Sequence, residues 1–432
     1  MGESKHIGFT SKLGVIMAAA GSAVGLGNIW KFPYVAGENG GGVFLIIYLA
    51  CVLLLGMPLV TTELLIGKRS RKSAFGAFRA LRNNNRWQWL SWLCVIAASL
   101  IMGFYFVVTG WYINYLVEAI ANAFQGFDAA QLTAHFQMVS TTTWRVVLFS
   151  IIPVVLTGLV LWFDVNKGIE RLSKILMPLL LVMMVYMVVR VLLLDGSKVG
   201  LEFFFKTDFS QLSPKVILEA MGQCFFSLSI GVGALITYGA YMPQNQNAML
   251  TSLQVVVLDT VVAVLAGVMI FPAVFAFGFN PAEGPELVFV VLPAIFEQMS
   301  FAWLSGVLFF SLLCIAALTS TVSLMEVVVA FLIDATSQRP HPLNRRKSVL
   351  ITSLVAIVLL LVCVLLPSMF DVFAELTSCY LMPIGALAMS IFVGWFFKDS
   401  FTTWYGKLFV FVIRWIVPIA IVLIFLNSLR LF

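Results

Sequence analysis

The sequence predicts an all-α integral membrane protein of about eleven transmembrane helices, folded as one membrane domain over residues 1–432. Three observations support this: an excess of apolar residues, apolar runs long enough to cross a bilayer, and basic residues gathered in alternate loops. Apolar residues make up 61% of the chain and charged residues 11%, with a mean hydropathy of +1.02. Soluble chains hold about 45–50% and about 25%. Uncharged apolar runs of about 18 residues or more read as spans. They fall near 13–36, 42–67, 88–121, 144–163, 168–194, 215–242, 247–278, 302–333, 348–367, 371–397 and 405–430. The polar sequence left between them is too short for a separate soluble domain.

Basic residues in short loops set orientation. With residues 1–12 inside, the loop after the second span is cytoplasmic and carries Lys68, Arg69, Arg71, Lys72, Arg79, Arg82 and Arg86. Later inside loops hold Lys167, Arg171 and Lys174, then Arg339, Arg345, Arg346 and Lys347, then Lys398 and Lys407. The outside stretches 122–143 and 279–300 contain no Lys or Arg. The net charge of +6 is therefore a topology signal and gives no support for nucleic acid binding. Eleven spans leave the C-terminus outside, beside Arg430. Lys5 and Lys12 before Leu13–Ala20 resemble a signal peptide. The stretch instead runs on through Gly-rich sequence into a Trp-Lys pair, and so reads as a retained span. No transit or lipidation motif is present. The six cysteines, Cys51, Cys94, Cys224, Cys314, Cys363 and Cys379, lie in apolar runs at no metal-like spacing and read as packing residues.

Two spans carry breaks. The first contains Gly21-Ser22-Ala23-Val24-Gly25-Leu26-Gly27-Asn28, and the sixth contains Ser227-Leu228-Ser229-Ile230-Gly231-Val232-Gly233. Unwound backbone persists in a membrane only where it lines a cavity or binds something. Gly21 and Gly25 also fit a GxxxG packing face, so either segment alone is ambiguous. The pair is more telling. If spans one to five (13–194) and six to ten (215–397) are two repeats of opposite orientation, the breaks fall at matching places, which points to a central transport site. The eleventh span, 405–430, stands outside the repeat.

Ionisable residues at Lys31, Glu63, Asp259, Glu326 and Asp371 lie within or at the ends of apolar runs. Charges there should face partners or a cavity. Structural helix contacts are the alternative reading for Glu63, Asp259 and Glu326, and snorkelling to the headgroups for Lys31 and Asp371. No nucleophile elbow, CxxC or catalytic carboxylate pair appears, so an enzyme is disfavoured. A sodium-conducting channel remains the other alternative.

The stretch Gly21–Pro33, Glu38-Asn39-Gly40-Gly41-Gly42, Pro58–Gly67, Gly222–Ser229 and Ala316–Ser320 closely resembles the neurotransmitter:sodium symporter family, in particular its prokaryotic, leucine-transporter-like members. The resemblance runs from about Ser11 to the end of the chain. It implies sodium-coupled uptake of a small amino acid by alternating access through a prokaryotic inner membrane, with two sodium ions. The first ion would take the Ala23 carbonyl, Asn28, Ser227, Asp259 and the substrate carboxylate. The second would take the carbonyls of Gly21, Val24 and Ala316 and the hydroxyls of Thr319 and Ser320. Glu63 would support the unwound first span.

Some relatives have Asn where this chain has Asp259. A fixed carboxylate supplies the negative charge that chloride otherwise brings, so uptake should be chloride-independent. A proton carried back on Asp259 is left open. Where monoamine carriers place an Asp, Gly25 leaves room for a substrate carboxylate, which would meet a half-helix N-terminus and the Tyr105 hydroxyl. Carbonyls of the two breaks, including Gly27, and the Ser229 hydroxyl would take the amine. Ile101, Val108, Phe226, Val232, Ser320 and Leu324 would line an apolar side-chain pocket for hydrophobic or aromatic amino acids. Lys31 and Asp371 would close above it, with Phe226 as the lid. Tyr241 and Asp334 would form the inner latch with the N-terminus, where Lys5-His6 stand in place of the usual Arg.

Overall fold

The computed structural model describes residues 8–82, 85–279, 287–396 and 403–428. The expected terminus at Arg430 and the basic Lys398 lie outside them. The described residues are helical with short connections and no strand. Among the described residues, nine continuous helices are long and apolar enough to cross a membrane: Gly42–Ser70, Gln88–Ile120, Thr143–Trp162, Asn166–Leu192, Ala248–Ala276, Ala302–Thr336, Arg345–Leu365, Pro367–Phe396 and Trp404–Leu426. They correspond to spans two to five and seven to eleven. The first span is a bent pair, Lys12–Ala23 and Gly27–Glu38, angled at 52°. The sixth is divided into Pro214–Ser227 and Ala234–Tyr241.

The breaks are narrower than expected. Helix one continues through Gly21 and Ser22 to Ala23, and only Val24 and Gly25 leave helical conformation before Leu26. Gly21 and Ser22 are therefore packed helix, consistent with their small size beside Thr319. The chain then re-enters helix through a wide turn in which the Phe32 N–H bonds to the Gly27 carbonyl five residues back. In the sixth span, Ser227 is the last helical residue before 228–233. Ser229, Gly231 and Gly233 take positive φ values of 51°, 92° and 82°. Ser229 is the strained member, because an L side chain disfavours that region.

The third and eighth spans form a long buried pair at the centre. The inner half of the sixth packs on the second with backbone against backbone. A Cβ on Gly67 would fall 1.9 Å from the Ile236 carbonyl oxygen, and one on Gly239 would fall 2.6 Å from that of Leu64. Thr61 and Ser252 share a hydroxyl hydrogen bond of 2.5 Å between the second and seventh spans. Two outside stretches read as loops are in fact helical: Ala129–Thr141, opened by an Asp128–Gln131 capping box, and Leu287–Glu297. Leu287–Val291 are buried among Trp111, Tyr112, Tyr115 and Phe136. These aromatic contacts across elements are absent from the local apolar period, so the sequence did not announce the helices. All six cysteines are free thiols.

Candidate functional site

The two breaks meet at the centre of the bundle and enclose a chamber of about 40 Å³, room for a few waters by this measure. Ala23, Gly25 and Gly27 come from the first break, Ile101 and Tyr105 from the third span, Phe226, Ser229 and Val232 from the sixth, and Ser320 and Leu324 from the eighth. Val108 does not line the chamber; it is fully buried. Ser227, expected among the substrate contacts, does not line it either. Ser22, Leu26, Phe104, Ala234, Ser323 and Met382 complete the wall and were not anticipated. The Ser22 hydroxyl is buried with no protein partner. A polar group at the break was legible, but its direction was not.

Polar groups freed by the breaks are cross-linked between spans. The Leu26 N–H donates to the Tyr105 hydroxyl at 3.4 Å, and the Ser229 hydroxyl to the Ser22 carbonyl at 3.1 Å. Gln223 Nε2 donates to the Gly27 carbonyl at 2.6 Å, a contact that sequence reading missed although Gln223 sat in a recognised motif. Gly25 has no room for a side chain: its Cβ would lie 2.6 Å from Ser320 Oγ and 2.8 Å from the Tyr105 hydroxyl.

Beside the chamber, Asn28, Ser227 and Asp259 converge. Asn28 Nδ2 donates to Ser227 Oγ at 2.9 Å and to Asp259 Oδ1 at 2.8 Å, and Ser227 Oγ donates to Asp259 Oδ2 at 2.9 Å. Their exposures are 0%, 1% and 0%. A carboxylate so far from water requires donors or a cation around it. A second group lies where the first span meets the eighth. Ser320 Oγ is 3.3 Å from the Val24 carbonyl and 3.2 Å from that of Ala316, and Thr319 Oγ1 is 3.0 Å from the latter. Gly21 packs directly on Thr319. Both groups are rich in oxygen, as a hard cation demands.

The side chains of Lys31, Glu63, Tyr241 and Asp334 take partners other than those expected from sequence. Lys31 and Asp371 form no ion pair. The Lys31 ammonium lies 4.3 Å from the centre of the Phe226 ring, a cation–π contact, and lines an outer cavity of about 290 Å³ with Glu219 and Gln223. Asp371 sits near the start of the tenth span, which begins at Pro367, and lines a different cavity with Trp111 and Phe370. Glu63 serves the sixth break instead of the first: its Oε1 accepts the Gly231 N–H at 2.7 Å. Tyr241 and Asp334, the expected latch residues, take separate side-chain partners. The Tyr241 hydroxyl donates to Glu326 at 2.7 Å, while Asp334 accepts from the Ser73 backbone at 2.9 Å and hydroxyl at 2.6 Å. Glu326, unassigned from sequence, is held bidentately by Arg345 at 2.9 and 2.8 Å. The fork geometry of guanidinium favours that acid.

Lys5 lies outside the described residues. The adjoining segment docks on the inner face: the Phe9 N–H donates to the Tyr241 carbonyl at 3.0 Å, and its ring packs edge-on against Tyr238. Glu170 accepts the Thr10 N–H at 2.7 Å and the Ser11 hydroxyl at 2.8 Å. At the opposite end of the site, Phe226 and Met382 line both the chamber and the outer cavity and so divide them.

A helical membrane bundle whose two interrupted spans enclose a chamber, with a second cavity stacked above it, defines a secondary transporter. The sodium:neurotransmitter symporter family model matches residues 7–127 and 120–428, and the chain belongs to that family. It is 38% identical to the uncharacterized sodium-dependent transporter YhdH of Bacillus subtilis over 99% of this chain and 98% of that one. It is 31% identical to an uncharacterized sodium-dependent transporter of Haemophilus influenzae, over 98% of both. The crystal structure of MhsT in complex with L-phenylalanine superposes with a TM-score of 0.89 at 38% identity, covering 98% of this chain and 99% of that one. The protein is thus a multi-pass, sodium-coupled membrane transporter and not an enzyme.

Proposed function

We propose that this chain carries hydrophobic or aromatic L-α-amino acids into the cell with two sodium ions and without chloride. The observation that carries the reading is the Asn28–Ser227–Asp259 cluster lying against an apolar chamber reached by the Tyr105 hydroxyl. An α-carboxylate would lie against the half-helix beginning at Gly27, near Gly25 and Tyr105. The amine would meet Ser22, Ser229 and the carbonyls of the breaks. Ile101, Phe226, Val232, Ser320 and Leu324, with Phe104 and Met382, would hold the side chain. Admitting it requires the 40 Å³ chamber to expand, with Phe226 and Met382, which divide it from the outer cavity, moving aside. MhsT, with phenylalanine bound, supports this substrate class by its similarity.

In the first sodium site, the ion would replace the Asn28 amide hydrogens as the positive partner of Ser227 and Asp259, with Asn28 turning its oxygen inward and Ala23 supplying a carbonyl. Gly21, Val24, Ala316, Thr319 and Ser320 would hold the second ion. Asp259 supplies a fixed negative charge where relatives named as chloride-dependent transporters draw on an anion. Spans one to five and six to ten would form the two inverted repeats, in a prokaryotic plasma membrane with the N-terminus cytoplasmic and the C-terminus outside. The test is uptake by purified protein in liposomes. An inward sodium gradient should drive accumulation of Phe, Trp, Tyr or Leu, chloride replacement should leave it intact, and the other amino acids should compete weakly. Competition won by polar amino acids, or a chloride requirement at fixed sodium and potential, overturns the reading.

A further inference from the structure

We propose that the turn opening the fifth span binds an anionic phospholipid, whose phosphate is held by Lys167 and Arg171. A groove of about 330 Å³ lies between the end of the fourth span and the start of the fifth. Leu159, Phe163, Leu172 and Ile175 form its apolar wall, and Lys167 and Arg171 stand at one end. Leu159, Phe163 and Ile175 are 57%, 55% and 58% exposed, an acyl-chain surface open to the bilayer. The two cations are four residues apart and share one helix face.

Both cations are exposed, and neither forms an ion pair among the described residues. Their basic neighbours are occupied. Lys174 binds Glu170 at 2.6 Å, Arg345 binds Glu326, and the Arg346 guanidinium lies 5.5 Å from the Trp162 ring centre. Asp164, the acid of the intervening turn, forms no ion pair with either cation among the described residues. Two unpartnered cations capping an apolar groove at the basic, inner edge of the bundle match a lipid phosphate with its chains; Arg171 offers it two parallel donors. A free anion would gain nothing from the apolar wall. Glu170 and the docked Thr10–Ser11 segment occupy the buried face of the same turn. A bound lipid therefore braces the wall against which that segment rests.

The experiment uses the full chain purified in detergent and doped with phosphatidylglycerol or phosphatidylcholine. Retained lipid is counted by native mass spectrometry and the melting temperature followed in parallel. The wild type should retain phosphatidylglycerol over phosphatidylcholine and melt several degrees higher with it. Lys167→Gln with Arg171→Gln should weaken retention at least tenfold. The charge-keeping pair Lys167→Arg and Arg171→Lys should retain it, and so should Arg339→Gln with Lys347→Gln in another basic loop. Unchanged retention in the Gln pair, equal loss in the other loop's variant, or equal protection by inorganic phosphate overturns the proposal. Lipid retention is read without transport, so the outcome is independent of substrate identity.

Discussion

Asp259 contributes a carboxylate to a cluster with almost no access to water, and two of its donors, Asn28 and Ser227, come from the two interrupted spans. Asp259→Asn keeps the shape and removes the charge. Sodium-driven uptake in chloride-free buffer should fall at least tenfold and the half-saturating sodium concentration should rise, both read by radiolabelled uptake; an unchanged sodium dependence rules out a role in ion binding. At Gly25, even a methyl group would meet Ser320 and Tyr105 inside 3 Å. Gly25→Ala should abolish substrate binding, measured by scintillation proximity, in protein that still elutes as a single species. Glu326→Gln leaves the partly buried Arg345 guanidinium without its charge partner, at a cost below the about 3–5 kcal/mol typical of a fully buried pair. A drop in melting temperature should report it, and Arg345→Lys should fall between, because an ammonium cannot reproduce the fork.

Each interrupted helix is held open by contacts from the rest of the bundle. Gly231 combines a φ of 92° with a site where a Cβ would lie 2.4 Å from the Met382 carbonyl. Gly231→Ala should destabilise the fold by about 1–3 kcal/mol from backbone strain alone, and thermal melting together with uptake would show whether break and activity are lost together. The breaks were legible because glycines and small polar residues interrupt otherwise apolar runs, a signal local to the chain. What holds them was not. Glu63 could be read as a buried acid in need of a donor, yet nothing in the chain's order specifies Gly231, 168 residues away, as the donor. The same holds for Lys31, whose ammonium settles over Phe226 in a cavity shared with Glu219, and for Glu326, whose partner Arg345 read only as one charge of a basic loop. Residue type announces that a partner is needed, and three-dimensional packing chooses it.

At the level of the whole molecule, the two sodium ions proposed above would release roughly 4.6 kcal/mol on crossing 100 mV, which would support on the order of a thousandfold accumulation of a zwitterion. Uptake should therefore be electrogenic: dissipating the potential with valinomycin at equal potassium should lower accumulation while the sodium gradient persists, and an unaffected plateau argues for charge-balanced exchange. The close crossing of Gly67 and Gly239 sets how any such motion is transmitted. Where two helices touch through peptide groups with no side chain between them, they cannot slide or roll independently without a steric collision. The second span and the inner half of the sixth must therefore travel as a single rigid lever. A tilt of Ala234–Tyr241 would carry the second span with it, while the outer half, separated by residues 228–233, can follow a different path.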